Sequence, residues 1–453
     1  MNDVDCASTT VSAAVLPGAL PLLGHGWALF RRPLEFLETQ RGLADLVEIK
    51  LGPRRAYIFN VPDLVRQMLT THRHSFVKGG PLIDKVQVLL GQGLPAADES
   101  THRRQRPLVQ HAFHPELMQE YAGAALLAAE KATKRWKAGD HVRVDQAMYE
   151  ISAATIAHSL HAGPLADEAA AEIARYLPPA LEGVGRRAAL PVPWLHALNV
   201  GEHRAYREAL RGIHASCERL IDASTQSPTA TSGMISVLAA VPDRLTGRPM
   251  GRRQLHDEIM SLITGAADTT GALMAWVLDT LAERPDIETK VHAEVDAAYT
   301  SSPAASAWDA SRFPYLTRVI TETLRMRSPV WMLPRRTVQD TEVGGHRIPA
   351  GSYVFYSAYA NHHDPRLFPE PHHFDPDRWL PEHVKQLPRC AFVPFGFGAR
   401  KCVGESFAMT EATLVLATLT AAWRFVRAGE PPTPRVFSTM VPSDFTMTVH
   451  RRS

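Results

Sequence analysis

The chain has 453 residues, 45% of them hydrophobic and 21% charged, with a net charge of +2. That is enough apolar material for a large core, and the near-neutral balance excludes a polybasic nucleic-acid or membrane-surface protein. Cys6, Cys217, Cys390 and Cys402 show neither paired metal spacing nor disulfide density, a usage that fits a reducing cytoplasm.

In chain order, residues 1 to 15 read as a flexible tail, with no basic leader and no run long enough to span a membrane. DLVEIKLGPRRAYIF, residues 45 to 59, alternates around Gly52-Pro53 and predicts a hairpin of two short strands. LIDKVQVLLGQGL, residues 82 to 94, is strongly apolar. Nearly everything from 101 to 330 has the Ala, Leu, Glu and Arg content of helix, and THRRQRPLVQHAF places His102 and Arg106 one turn apart within it. Prolines and glycines at 177 to 200 are expected to interrupt this pattern and form a mobile helical hairpin.

LHDEIMSLITGAADTTGALMAWVLDTLAERP, residues 255 to 285, repeats its apolar positions near a 3.6 period and predicts one long helix. Its centre, Gly265, Ala266, Ala267, Asp268, Thr269 and Thr270, breaks an otherwise bulky stripe. A carboxylate inside a buried helix is costly unless paired or functional. Threonine hydroxyls there can compete for the i−4 carbonyl and open the helix locally. On this stretch alone, an outward-turned Asp beside tolerated threonines is an equal alternative.

Downstream, TETLRMRSP supplies Glu322 and Arg325 at i,i+3, and the apolar SPVWMLP holds Val330, Trp331 and Met332. MLPRRTVQD carries Arg335 and Arg336. TEVGGHRIPAGSYVFYSAYA, residues 341 to 360, is a second β patch punctuated by Gly-Gly and Pro-Ala-Gly. His362, His363, His372 and His373 could suggest zinc, but the prolines around them enforce an extended loop and no Cys or helical His spacing accompanies them. FDPDRW follows, with Arg378. The coarse picture is one large helical body with a small sheet at its side.

PFGFGARKCVGE, residues 394 to 405, sets Cys402 among glycines, phenylalanines and basic residues, just before the apolar helix ESFAMTEATLVLATLTAAW. A free Cys is ordinarily a small buried hydrophobe. Here Gly398 permits a tight turn where a side chain would strike a flat ligand, and Gly404 permits close approach of the helix. Exposed N–H groups at the helix start would hold the sulfur anionic, with Arg400 placing a cation nearby. The stretch is not G-x-G-x-x-G, and it lacks the GK[ST] of a phosphate loop.

The pattern Phe395, Gly398, Arg400, Cys402, Gly404 resembles the haem-binding signature of the cytochrome P-450 family, and the other motifs follow in that family's order over nearly the whole chain. The resemblance implies a mainly α cytochrome P-450 fold: a large helical domain, a smaller β-rich region, and haem between the long helix and the Cys loop. It implies a tail over 1–15 and a single catalytic domain over 16–453. Cys402 would be the thiolate ligand of haem b (iron protoporphyrin IX). His102, Arg106, Arg335 and Arg400 would hold its propionates, with Arg336 pointing elsewhere.

The segment around Asp268 and Thr269 resembles the family's oxygen-activation motif, with Ala266 where Gly is usual. The intact acid–alcohol pair disfavours the peroxide-using branch. Glu322, Arg325 and Arg378 resemble the structural Glu-Arg-Arg set, with Asp377 and Trp379 where Glu and Phe are frequent.

The implied activity is haem-thiolate monooxygenation, O2 being spent on a C–H bond of a small hydrophobic substrate. Leu262, Gly265, Ala266, Val330, Trp331 and Met332 would wall the pocket, and 177 to 215 would act as a lid. Residues 335 to 382 resemble actinobacterial members that oxidise cyclic terpenes, which implies a sesquiterpene, successive oxidations of one carbon and a role in secondary metabolism. Fatty acid, steroid and polyketide skeletons stay open. So do a non-catalytic haem-thiolate sensor or carrier and a haem-dependent isomerase. Electrons would come from NAD(P)H through an external ferredoxin reductase and ferredoxin, docking around Arg103, Arg104 and Lys401. A cytoplasmic monomer is expected.

Overall fold

The computed structural model describes residues 12–189, 200–226, 233–301 and 309–452. Residues 1–11 of the expected tail and 190–199 of the expected hairpin lie outside the described residues. Two compact units emerge, one made of the chain up to Gly80 with Val330–His373 and Glu382–Cys402, the other of Pro81–Pro329, Phe374–Pro381 and the chain from Val403.

The first unit is built on a six-stranded sheet. Its strands are β1 (Ala14–Val15), β2 (Leu46–Leu51), β3 (Arg54–Phe59), β4 (Phe76–Val77), β5 (Leu333–Thr337) and β6 (Tyr353–Tyr356), in the order β1-β2-β3-β6-β5-β4. β2 and β3 form the expected hairpin, turning at Gly52 with φ of +60°. The tail reading needs correction at its end. Ala14 and Val15 pair parallel to Val47 and Glu48, because the open edge of β2 offers their backbone the partners a loose tail would lack. All four side chains of β6 are buried, as befits a strand between two others with both faces covered. The second β patch also forms, Thr341–Val343 pairing with His346–Ile348 across Gly344 and Gly345. Helix α1 (Pro62–Leu69) lays Leu64, Val65 and Met68 against Tyr57, Phe59 and Val354.

The second unit is helical. It holds α2 (Pro81–Leu90), α3 (Glu99–Gln110), α4 (Pro115–Thr133), α5 (Val144–Leu160), α6 (Pro164–Ala189), α7 (Val200–Gln226), α8 (Arg252–Glu283), α9 (Pro314–Met326) and α10 (Glu405–Ala422). Smaller strands, His141–Arg143 with Trp423–Arg427 and Thr446–Arg451, make a three-stranded sheet. α8 spans about 48 Å at about 1.5 Å per residue and runs over nearly the expected stretch, ending before Pro285. It packs on α5 at Gly271, where a Cβ would lie 2.9 Å from the Tyr149 Cα.

Two expectations about these helices need correction. α6 runs unbroken through Pro178 and Pro179 to Ala189, because Leu177, Ala180, Leu181 and Val184 are all buried on one side and that packing outweighs two missing N–H donors. α8 does not open at its threonines: Thr269 Oγ1 donates to the Gly265 carbonyl at 2.5 Å, yet the helix stays α throughout. Among the described residues no helix is long and apolar enough to cross a membrane.

Candidate active site

In the first unit the Cys402 loop turns on Gly396 and Gly398, with φ of +71° and +70°. A Cβ on Gly398 would lie 2.6 Å from the Leu69 carbonyl oxygen of α1. The chain's own backbone is thus one thing a side chain at that position would strike. Gly398–Arg400 form one 3₁₀ turn, and the Cys402 N–H donates to the Phe395 carbonyl at 2.8 Å. Phe395 thus closes the loop through its backbone. Cys402 is exposed, whereas Cys217 and Cys390 are buried; burial pushes the Cys390 thiol up to about 11 and raises Cys217 further. Cys402 itself lies ahead of α10, which begins at Glu405 with Gly404 as its N-cap.

Arg335, on β5, is only 5% exposed. Its Nη1 donates to the Pro334 carbonyl at 2.8 Å and its guanidinium lies 5.8 Å from the Tyr356 ring centre. No described carboxylate pairs with it. A cation this deep is costly without an anion, so the position fits an acidic ligand group. Arg336, next along the strand, is exposed. Trp331 is buried and its carbonyl accepts from Ser357 Oγ at 2.7 Å, while Val330 and Met332 on either side are half-buried.

In the second unit the centre of α8 is less covered than the turns on either side of it. Gly265 is exposed and a Cβ there would meet nothing within 4 Å, with Ala266 half-buried beside it and Leu262 buried a turn before. Asp268 Oδ2 accepts from Thr439 Oγ1 at 2.6 Å; burial raises its pKa, and the threonine's hydrogen bond pulls the other way. Asp268 and Thr439 line a cavity of about 350 Å³ that also meets Tyr149, Glu182, Arg435 and Asp444. The Tyr149 hydroxyl has no hydrogen-bond partner among the described residues, and burial, then the nearby Asp268, holds its pKa well above the ordinary phenol value. On α3, His102 is buried and Arg106, one turn on, is half-buried. Arg104 pairs with Asp243 at 3.6 Å, so it is already engaged in part.

Glu322 and Arg325 of α9 are fully buried and joined at 2.8 and 2.9 Å. Arg378 approaches the same carboxylate at 3.5 Å. Trp379 Nε1 donates to it at 2.9 Å and the Asp375 N–H at 3.1 Å.

The sequence profile of Cytochrome P450 matches residues 16–447. The chain belongs to the cytochrome P450 family. It is 39% identical to cyclooctatin synthase of Streptomyces melanosporofaciens, over 90% of this chain and 89% of that one. It is 34% identical to pentalenene oxygenase of Streptomyces avermitilis, over 92% of each, and 36% identical to cyclooctat-9-en-7-ol 5-monooxygenase of Streptomyces melanosporofaciens, over 90% and 88%. The likeness to terpene-oxidising actinobacterial members expected from the sequence is therefore found. In three dimensions the chain superposes on a crystal structure of the cytochrome P450DA heme domain with a TM-score of 0.87, at 22% identity and over 98% of both chains. The mainly α P450 fold is thereby established, and the P450 is an oxidoreductase of the monooxygenase kind.

Membership implies a haem iron, and the donor set fits one: an exposed sulfur tied to its loop by a backbone hydrogen bond, and a buried guanidinium with no carboxylate of its own. Four residues of the P450 escaped the sequence reading. Thr439 meets Asp268 from 171 positions away, a contact no local pattern encodes. Tyr149 reaches the same cavity from α5. Trp379 was visible only as a departure from Phe, although an indole N–H near a predicted buried glutamate was the available signal. Glu411 of α10 is fully buried with only the hydroxyls of Ser152, Thr155 and Thr270 near its carboxylate among the described residues, and it hid among the apolar residues of that helix.

Proposed function

We propose that this P450 inserts oxygen from O2 into a C–H bond of a cyclic terpene, with residues 16–453 acting as one catalytic domain. The reaction balances as substrate, O2, NAD(P)H and a proton giving alcohol, water and NAD(P)+, with further rounds taking the same carbon onward. Electrons arrive through a ferredoxin reductase and a ferredoxin. The observation that carries the substrate class is the full-length similarity to three relatives whose names give cyclic terpenes. A bound haem supplies reductive activation of O2; everything else falls to the side chains.

In this reading Cys402 would hold the haem iron through its thiolate and would tune it for O2 chemistry. His102, Arg106, Arg335 and Arg400 hold the propionates by charge-assisted hydrogen bonds. Thr269 sits beside the open Gly265 face, where its hydroxyl would hold a proton for the chemistry the haem would supply. Asp268 exchanges protons between that face and the cavity it lines with Thr439. Leu262, Gly265, Ala266, Val330, Trp331 and Met332 exclude water and hold an apolar skeleton. Glu322, Arg325 and Arg378 keep their region rigid.

The test titrates the purified holoenzyme with cyclic terpene hydrocarbons, fatty acids and steroids, following the low- to high-spin absorbance shift and then O2 uptake with a ferredoxin pair. A terpene should give the shift and a product heavier by one oxygen. A fatty acid or steroid that shifts the spectrum where every terpene fails would overturn the substrate class. Product formed without O2 uptake would overturn monooxygenation.

A further inference from the structure

The stretch LLGQGL, at the end of α2, carries two glycines that the fold explains only through α8. Gly91 has φ of +53°, and a Cβ there would collide with the Asp257 carboxylate. A Cβ on Gly93 would collide with Ser261 Oγ and the Asp257 carbonyl. With both side chains absent, the turn lies directly on the helix, and its N–H groups reach two consecutive acids. Gln92 N–H donates to Asp257 Oδ2 at 2.8 Å, and Leu94 N–H donates to Glu258 Oε2 at 3.1 Å. From α3, the Gln105 amide, oriented as its neighbours require, donates to Glu258 Oε1 at 3.0 Å and to the Gln92 carbonyl at 3.1 Å. Glu258 is completely buried.

This clasp lies about 10 Å along α8 from the open Gly265 face, at about 1.5 Å per residue. Leu89, Leu90 and Leu94 of the clasped segment pack in one cluster with Leu255, Ile259 and Leu262 of α8. Loosening the turn therefore moves apolar groups that lead directly to the pocket. We propose that Asp257 and Glu258 are positioning residues for substrate binding, holding the Gly91–Leu94 turn and helix α2 against α8 so that the pocket wall is set before the ligand arrives. This rests on the proposed reading that Leu262, Gly265 and Ala266 wall the substrate pocket.

The two acids differ in proton affinity. Burial raises Asp257, but hydrogen bonds from His256 and the Gln92 N–H outweigh it and leave the group below the ordinary carboxylate value. Burial pushes Glu258 up to about 7; the Leu94 N–H opposes this and Asp257 adds to it. Both Glu258 oxygens face donors, so protonation turns one acceptor into a hydroxyl pointed at an N–H and weakens the clasp. The groups around the pair are Gln105 from α3, His256 and Arg253 on α8 itself, and His214 and Glu218 from α7. His214 stacks on His256 with ring nitrogens 3.3 Å apart. Burial and that neighbour lower the His214 pKa.

The test measures the dissociation constant of 4-phenylimidazole, a pocket probe that needs no knowledge of the substrate, for the holoenzyme from pH 6 to 8.5, referred throughout to the probe's neutral form because the imidazole itself titrates at the acid end. Hydrogen exchange of residues 91 to 94 is followed alongside. The wild type should bind about three- to tenfold more weakly at pH 6 than at pH 8.5. Glu258→Gln should be nearly pH-independent, which the His214–His256 pair alone would not produce. Glu258→Leu and Asp257→Asn should bind more weakly at pH 8.5 and exchange faster at 91 to 94. Unchanged affinity in Asp257→Asn and Glu258→Gln across the range would overturn the proposal, and so would faster exchange with unaltered affinity. A probe that responds as described while no terpene shifts the spectrum would leave the clasp standing and remove only the substrate class.

Discussion

Glu322, near the end of α9, and Glu411, within α10, are equally cut off from solvent, but the fold surrounds one with guanidinium, indole and backbone donors and gives the other hydroxyls alone. Glu322 receives Arg325, Arg378, the Trp379 indole and the Asp375 backbone. Glu411 has the hydroxyls of Ser152, Thr155 and Thr270 around it, yet Ser152 Oγ donates to the Ala266 carbonyl and Thr155 Oγ1 to the Ile151 carbonyl. Burial accordingly pushes Glu411 up to about 8. Burial alone does not decide whether a carboxylate is charged; the number of donors aimed at it does.

Removing the donors from Glu322 breaks the comparison at its stronger end. Arg325→Leu leaves a buried carboxylate short of its main counter-charge, a loss of about 3–5 kcal/mol by analogy with other broken buried pairs. Trp379→Phe removes one hydrogen bond to a charged group and should cost about 1.5–3 kcal/mol. Urea unfolding of the holoenzyme measures both. If Arg325→Leu proved no less stable than Trp379→Phe, Glu322 would have to be neutral already, like Glu411.

At the weaker end, Glu411 is a raised group, so the stability it lends is complete below the ordinary glutamate pKa and is lost as pH rises through about 8. Glu411→Gln cannot ionise. Its melting temperature relative to wild type should therefore climb from pH 6 to about pH 8, where the unfolded chain has lost the proton that the folded chain keeps, and level off between pH 8 and pH 9.5. A difference that stayed flat over that range would mean that Glu411 is hydrogen-bonded as a carboxylate after all.

How much of this was legible in the sequence follows from the range of each contact. Glu322 and Arg325 sit at i,i+3, and the Cys402 loop and the extent of α8 are likewise local, so spacing and period revealed them. The Gly398 turn was legible as a turn, but one constraint on it, the Leu69 carbonyl, belongs to a distant helix. The proline pair in α6 misled because breaker residues are read locally, while the buried row around them is tertiary. The clasp was invisible for the same reason: LLGQGL looks like an ordinary turn until the Asp257 carboxylate lies against Gly91.

Asp268 stands between the two glutamates, half-buried and served by a single hydroxyl, Thr439 Oγ1. Burial raises its pKa and the threonine restrains the rise. Thr439→Val removes the restraint while keeping the shape, so Asp268 should hold its proton to higher pH. On the proposed role, the acid limb of the kcat profile then moves upward. At neutral pH kcat should fall roughly two- to fivefold, because a modulator is lost rather than a proton-transfer group worth roughly 10²–10⁴. The solvent deuterium isotope effect on kcat should grow as proton transfer becomes slower, while KM for substrate stays put, since Thr439 lies on the cavity side of α8. A KM change with an unmoved pH limb would instead place Thr439 in the substrate wall, and Asp268 would lose its claim to that cavity as the proton source.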